Sequence, residues 1–307
     1  MVFKSDFKIF SSTVIPTIGR RSLARSVESV LSQDVRPEEF EVIVVNDSGR
    51  PLVSEEWQRS DRVQILHTNR HERSVARNTG AAFAHGTYLH FLDDDDWMLP
   101  GAFKELWAIA RATNAPWVYG ITRFVDREGK LLSESHIDVS GNGLVQVMAT
   151  GAWLPIQASL IKAQCFIEVG GFDHRLAICE DKDIGRRIAL MGNFAHIKIP
   201  VACILIDRAT STSPYDKSLY YNQLSRDNVL SKKGSFARMR ASATSSYWRG
   251  RLVRIYLAVM VWNLQKGKLL KAMRWASEIV MGFFLSLPFL FSLDFLQGVF
   301  WGTEKML

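Results

Sequence analysis

The sequence predicts an α/β fold: a doubly wound sheet with a ligand site at one edge, followed by a helical appendage. Three observations predict it. Short β-branched runs alternate with helix-spaced segments through residues 1–100. Two of those runs end in carboxylates, at Asp47 and at Asp93 to Asp96, and open α/β sheets take their ligands beyond the carboxyl ends of strands. From about Ser246 the chain becomes basic, amphipathic and helix-spaced.

The elements follow in order. Lys8 to Ile15 reads as a strand ending at Pro16-Thr17, and Ser22 to Ser32 as a helix with Leu23, Val27, Val30 and Leu31 on one side. Pro37 breaks that helix. Phe40 to Val45 is a β-branched run, hence a buried strand, ending in Asn46-Asp47-Ser48-Gly49, and Val63 to His67 is a third strand. Val75 to Ala84 is a small-residue helix stopped by Gly86. Tyr88 to Leu92 is a buried strand running into the four aspartates. Gly101 to Thr113 reads as a helix opened by Pro100, and Trp117 to Val125 with Leu131 to Ser135 as a hairpin. Ser159 to Ile161 begins a further element, Gly170 to Asp173 is a tight turn, Glu180 to Met191 is helical, and Ile197 to Ile206 is the last strand. Tyr247 to Asn263 and Lys268 to Val280 make two amphipathic helices joined around Lys266-Gly267.

At 307 residues the chain holds one large α/β domain plus an appendage. Its net charge of +7 is concentrated late, in Arg249, Arg251, Arg254, Lys266, Lys268, Lys271 and Arg274, a bias that suits an anionic neighbour. Cys165, Cys179 and Cys203 fit no zinc spacing, and they read as reduced, buried thiols of a cytosolic protein. The opening MVFKSDFKIFSSTVIP has no long apolar core, so no signal peptide is expected. The Phe- and Leu-rich stretch from Ile279 to Trp301 is broken by Pro288 and Asp294, too short to span a bilayer comfortably. An interfacial helix pair and a helix packed on the core both remain open for it.

Four adjacent carboxylates repel, and a divalent cation is the physical reason to put them together, because it neutralises them and prefers oxygen ligands. The cation would in turn hold something anionic, a diphosphate first. The purely structural alternative is a solvated loop in which Asp96 caps the next helix.

The motifs resemble those of family 2 glycosyltransferases with the GT-A fold. Val14-Ile15-Pro16-Thr17-Ile18-Gly19-Arg20 is similar to that family's VIPTYNR start, and Glu41 to Ser48 to its EIIVVDDGS. Ala76-Arg77-Asn78-Thr79-Gly80 followed by Ala84 to Tyr88 resembles ARNxG and AxGxY. Phe91 to Pro100 resembles FLDxDDxxxP, and Gly170 to Asp173 with Glu180-Asp181 resembles GGFD and ED. The match runs over residues 8–215, and the motifs come in the family's order.

The resemblance implies a GT-A type doubly wound mixed sheet with a C-terminal helical appendage. Residues 1–245 would form the catalytic domain, with a nucleotide-sugar half (1–100) and an acceptor half (101–245), and 246–307 a helical segment. It implies a metal-dependent, inverting transfer from a nucleotide-diphosphate sugar, a UDP-sugar first, to a hydroxyl of a saccharide or lipid-linked saccharide in surface glycan synthesis. Asp95 would ligate Mg²⁺ or Mn²⁺, with Asp93 and Asp94 nearer the ribose and the metal's waters. Asp47 would read the base, although Asn46 replaces the pattern's first Asp, and an Asx-turn is the structural alternative. Pro16 and Thr17 would flank the base through backbone groups. Arg73 and Arg77 would either touch phosphate or base, or brace the acids. Asp181, with Glu180, would be the general base, the alternative being acids placed at a helix N-terminus.

One of Arg186 and Arg187 faces the diphosphate or is solvated. Arg208, in a lid running to Ser213, would clamp phosphates. Trp153 would stack on a sugar or fill the core, and His85, His90, His136 and His196 read as structural. Residues 246–307 would make peripheral contact with the cytoplasmic face of a membrane, or pack on the catalytic domain or another subunit, and no nucleic-acid partner is expected. A sugar-nucleotide nucleotidyltransferase is the first competing reading, but Pro16 to Arg20 lacks the Gly-rich, basic loop those enzymes use for a triphosphate. A scaffold that retained the fold is the second, and the Glu180-Asp181 pair argues against it.

Overall fold

The computed structural model describes residues 9–149, 153–206 and 215–300. The Arg208 to Ser213 lid lies outside them. Two compact units divide the chain, each discontinuous in sequence. The first comprises Met1–Asp138, Leu154–Leu176 and Phe194–Thr212; the second comprises Val139–Trp153, Ala177–Asn193 and Ser213–Leu307.

The first unit contains a nine-stranded mixed sheet. In chain order its strands are β1 (Ser11–Thr17), β2 (Phe40–Asn46), β3 (Val63–His67), β4 (Tyr88–Phe91), β5 (Trp97–Met98), β6 (Trp117–Val125), β7 (Leu131–Glu134), β8 (Ser159–Lys162) and β9 (Phe194–Leu205). Their spatial order is β3-β2-β1-β4-β8-β6-β9-β5, with β7 beside β6. The first four are mutually parallel, and β8 pairs antiparallel with both β4 and β6. Val42 to Val45 are fully buried on both faces, as expected of a parallel strand covered by helices.

β1 runs through Pro16, two residues past the expected end. Proline is tolerated there because β4 pairs only as far as Val14, leaving one side of the strand free of ladder partners. Helix Arg73–Phe83 packs on β1 and β2 through Gly80, where a Cβ would collide with the Val14 side chain. Helix Leu23–Leu31 buries Leu23, Val27 and Val30 as its spacing requires. Helix Ala102–Thr113 starts after Gly101 (φ +77°) and not at Pro100. It buries Phe103 and Trp107, stacked at 5.4 Å between centroids. The two-residue strand β5 has no sequence signature; it exists because Trp97 and Met98 pair with Cys203 and Ala202 of β9.

The second unit is helical. The expected pair appears as Ser246–Gln265 and Leu269–Leu285, and Leu293–Phe300 packs back on the first of them. Gly250 and Gly298 permit that approach: a Cβ on either would run into the backbone of the opposite helix. Helices Leu144–Met148, Tyr215–Leu230 and Ser235–Ser242 belong to the same unit. Its edge therefore does not fall at residue 245. Phe236 packs on Tyr256 and Trp275 at 5.6 and 5.1 Å, and buried Asp227 accepts from Asn263 (2.9 Å) and Lys271 (3.0 Å). No helix among the described residues is long and apolar enough to cross a membrane. The three cysteines are free; Cys203 is buried, while Cys165 and Cys179 are only half-buried.

His90 sits in the middle of the sheet, fully buried, with Nε2 2.9 Å from the Gln157 carbonyl and Nδ1 3.1 Å from Thr13 Oγ1. Burial pushes its pKa down to about 4. The unfolded chain therefore takes up a proton between about pH 6.5 and 4 that the folded chain refuses, and stability falls as pH falls through that window, by up to roughly 3 kcal/mol. Urea titrations of wild type and His90→Gln at neutral pH and near pH 4 should show the steeper loss in wild type. Parallel slopes would remove His90 from the acid sensitivity.

Candidate functional site

The chain leaves β1 outward to β2 and β3, then returns to the other side of β1 as β4. That reversal separates the loops after β1 and β4, which is where open α/β sheets form a crevice. A cavity of about 380 Å³ lies there. Its walls include Pro16 and Thr17 from β1, Asp47 from the end of β2, Arg73 from the helix after β3, and Asp93, Asp94 and Asp95 beyond β4. Seven of the sequence candidates thus meet in one pocket. Ile18, Arg20, His71, Glu72 and Ala76 complete it.

The aspartates are unequal. Asp94 is buried, accepting from Thr17 Oγ1 (2.5 Å) and Arg20 Nη1 (2.6 Å). Arg20 also reaches Asp95 Oδ2 at 3.0 Å. Burial opposes the Arg20 charge, but Asp94 and Asp95 overcome it and raise its pKa. Asp93 accepts from buried Arg77 (2.6 Å) and from Gln157 Nε2 (2.9 Å). Burial alone would raise its pKa; the Arg77 charge and hydrogen bond, with Arg73 and Gln157, bring it below the usual range. Asp95 is the most open of the three pocket aspartates, with 35% of its side chain exposed against 29% for Asp93 and 3% for Asp94. Burial raises its pKa, and the repulsion of Asp93 and Asp94 adds to this against Arg20.

Asp96 is not a helix cap. It is buried with Oδ1 accepting from the Leu205 backbone at 2.9 Å, and the next helix is preceded by Gly101. Burial, then Asp93 and Asp95, push its pKa well above the usual carboxylate range. Arg25 closes the loop from outside, donating to the Asp95 carbonyl at 2.7 Å and lying 3.9 Å over the Trp97 ring.

Asp47 lines the pocket, yet its oxygens already accept from Thr68 Oγ1 (2.8 Å), Arg70 N (2.7 Å) and Glu72 N (2.7 Å). Those bonds, with the His71 amide, lower its pKa despite burial. These bonds shape the loop 68–72, whose Glu72 then caps helix Arg73–Phe83 through Ser74 N and Val75 N. Asn46 carries the Asx-turn, accepting from Ser48 N at 3.0 Å and donating to Arg50 O at 2.6 Å.

Arg77 braces Asp93 and is not part of the cavity wall. Beside it, Asn78 grips the backbone of Phe172, accepting from its N–H (2.9 Å) and donating to its C=O (2.8 Å). Gly171 is required there, since its φ is +66° and a Cβ would press on the Asn78 amide. Two motifs separated by 94 residues are thereby clamped together. Asn78 and Arg20 lie inside motifs that assign them no role, and Gln157 lies in no motif.

The second acidic pair belongs to the helical unit. Helix Glu180–Ile188 begins after Cys179, which holds a left-handed φ of +67°. Glu180 is buried, whereas Asp181 is partly exposed. Asp181 Oδ2 accepts from Trp153 Nε1, and Oδ1 from Lys182 N at 2.7 Å. Trp153 therefore fixes a carboxylate. Neither following arginine is solvated: Arg186 is buried on Val147 O (3.1 Å) and Asn222 (3.0 Å), and Arg187 pairs with Asp183 at 2.6 Å.

Among the described residues no group of three or more His, Cys, Asp or Glu side chains could by itself hold a metal ion. Arg20 and Arg77 supply compensating charge to the three pocket aspartates. The donor set still fits a cation completed by ligand phosphates, because Asp95 presents a partly open hard-oxygen donor on the wall, and Mg²⁺ is commonly held by one or two carboxylates plus phosphates.

Residues 12–176 match the family described as Glycosyl transferase family 2. The poly(ribitol-phosphate) beta-N-acetylglucosaminyltransferase TarP of Staphylococcus aureus is 30% identical over 115 residues, covering 36% of this chain and 35% of TarP. The GalNAc(5)-diNAcBac-PP-undecaprenol beta-1,3-glucosyltransferase of Campylobacter jejuni is 29% identical over 140 residues, 43% of each chain. The matches thus span well under two thirds of these relatives' lengths. The crystal structure of S. aureus TarS 1–349 in complex with UDP-GlcNAc superposes with a TM-score of 0.62 at 12% identity, covering 89% of this chain and 92% of that one. At this identity the likeness is one of fold, and it places the sheet among GT-A folds.

Replacing Arg77 by Met should destabilise the protein by about 3 kcal/mol or more, because it strands Asp93 without its principal cation. Adding Asp93→Asn should restore part of the loss. A double-mutant cycle by chemical denaturation measures this, and additive losses would show that the pair is not coupled.

Proposed function

Because this chain belongs to glycosyl transferase family 2, we propose that it moves a sugar from a nucleotide-diphosphate sugar to an acceptor hydroxyl with inversion, in bacterial-type surface glycan synthesis. The observation that carries this reading is the pocket beyond β1, β2 and β4, where Thr17, Asp47, Arg73 and three aspartates line one cavity. A UDP-sugar is the donor we favour, and UDP-GlcNAc the first to test, since TarS was crystallised with it and TarP is named for N-acetylglucosamine transfer.

In this reading Pro16 and Thr17 flank the base, and Asp47 keeps the loop 68–72 in the shape that forms the adjoining wall. Asp93 lies toward the ribose, held by Arg77 and Gln157. Arg73 faces the diphosphate as a cation in the wall. Asp95 would hold Mg²⁺ or Mn²⁺ together with the phosphates. Once bound, such a cation would supply neutralisation of the charge developing on the leaving diphosphate.

Asp181 is the proposed base. It takes the proton from the acceptor hydroxyl as that oxygen attacks the anomeric carbon, and the nucleotide diphosphate leaves from the opposite face. The Trp153 indole orients its carboxylate while leaving it partly exposed. Glu180 is buried, so in this reading Asp181 and not Glu180 takes the proton. The acceptor is a saccharide or a lipid-linked saccharide, a class suggested by the undecaprenol-linked substrate named for the Campylobacter relative. The cytoplasmic face of a membrane is where such an acceptor would be met.

The two carboxylates separate in their kinetics. Asp181→Asn should lower transfer by roughly 10²- to 10⁴-fold while leaving UDP affinity intact. Asp95→Asn should lower cation-dependent UDP affinity by roughly tenfold or more. Calorimetric UDP titrations with and without Mn²⁺, beside a radiolabelled transfer assay, measure both. Unchanged transfer by Asp181→Asn would reject it as the base, and unchanged cation dependence in Asp95→Asn would reject the metal assignment.

A further inference from the structure

The helix Leu269–Leu285 has two faces of different fate. Ala272, Trp275, Ile279 and Gly282 are buried in the helical unit. Leu269, Leu270, Met273, Val280, Met281 and Phe284 point outward, with Leu270 85%, Met273 68% and Phe284 63% exposed. At helical spacing these six fall within a sector of roughly 120°, with no ionisable side chain among them. The apolar surface continues past the helix in Leu287 (56% exposed), Phe291 (94%) and Leu293 (76%). Isolated exposed leucines are ordinary, but a continuous stripe of this kind marks an interaction surface.

The charges around the stripe identify its partner. Residues 246–300 hold seven basic and two acidic side chains. Lys266 and Lys268 are exposed immediately before the helix, and Arg274 is exposed at the stripe's edge. Of the two acids, Glu278 is neutralised by Arg240 at 2.6 Å. A self-complementary contact with a second copy would gather the lysines of both copies around one patch, like charge against like. An anionic bilayer reverses the sign of that interaction. The helix is about 25 Å long at 1.5 Å per residue, short of the hydrocarbon thickness, and no described helix qualifies as a span. A basic, one-sided apolar helix of this kind lies in the plane of the interface.

We propose that this chain docks on an anionic lipid surface through the outer face of Leu269–Leu285 and the apolar residues that follow it, with Lys266, Lys268 and Arg274 over the headgroups. The docking is independent of the transfer chemistry and is tested separately from it.

The test is flotation of the full chain with vesicles of phosphatidylcholine alone or mixed with phosphatidylglycerol. Wild type should rise with the anionic vesicles and much less with the neutral ones, and salt should weaken the association. Combining Leu270→Glu, Met273→Glu and Phe284→Glu should reduce partitioning by roughly 100-fold or more. All three positions are exposed, and thermal melting checks that the variant folds. Lys266→Glu with Lys268→Glu should remove the preference for anionic lipid. Equal flotation of wild type and the triple variant would overturn the proposal. So would absence of flotation together with a concentration-dependent dimer in sedimentation that the triple variant abolishes, which would make the face a contact between copies.

Discussion

Charge compensation around the loop after β4 is the constraint on which the site depends. Two unit charges about 4 Å apart interact by about 4 kcal/mol at an effective dielectric of 20, so a run of adjacent carboxylates cannot be left to itself. Arg20 spans Asp94 and Asp95, and Arg77 with Gln157 holds Asp93. The fourth, Asp96, is buried against the Leu205 amide, and burial with the repulsion of Asp93 and Asp95 pushes its pKa well above the usual carboxylate range. What remains on the wall is an acidic edge whose most open member is Asp95. Arginine, Gln157 and the Leu205 amide hold the loop, and Asp95 stays partly open on the wall.

The same economy governs the neighbouring segments. Asp47 shapes the loop 68–72, Glu72 from that loop caps the helix carrying Arg77 and Asn78, Arg77 holds Asp93, and Asn78 clamps Phe172. Each polar side chain satisfies backbone or charge that would otherwise be costly to bury. Motifs that look like separate signatures along the chain are consecutive links of one hydrogen-bonded path in the first unit. The helical unit uses a different device, with Asp227 and Arg186 as buried polar anchors and Gly250 against Gly298 as a close crossing.

Strands and the acidic ends of β2 and β4 are legible in sequence because period-2 and β-branched runs depend on local chemistry. So are the helices Leu23–Leu31 and Leu269–Leu285, whose apolar spacing is regular. Helix Tyr215–Leu230 spreads its apolar residues around the axis and leaves no such trace, and β5 has too few residues to show a period. Among site residues, the pocket set Pro16, Thr17, Asp47, Arg73 and Asp93 to Asp95 was readable as motif. The partners Arg20, Asn78 and Gln157 had no readable role, because a long polar side chain acquires one only when the fold puts an opposite charge or an open amide beside it.

The sequence by itself determined the family, the succession of strands and helices through the first hundred residues and the identity of the acids, all consequences of local pattern and ordered motifs. The tertiary structure alone decided how those acids differ. Asp93, Asp94, Asp95 and Asp96 are the same side chain in succession, and nothing in their order predicts that one pairs with Arg77, two share Arg20 and one is buried against the Leu205 amide. Burial and the distance to a guanidinium set a carboxylate's charge, and both are properties of the folded chain.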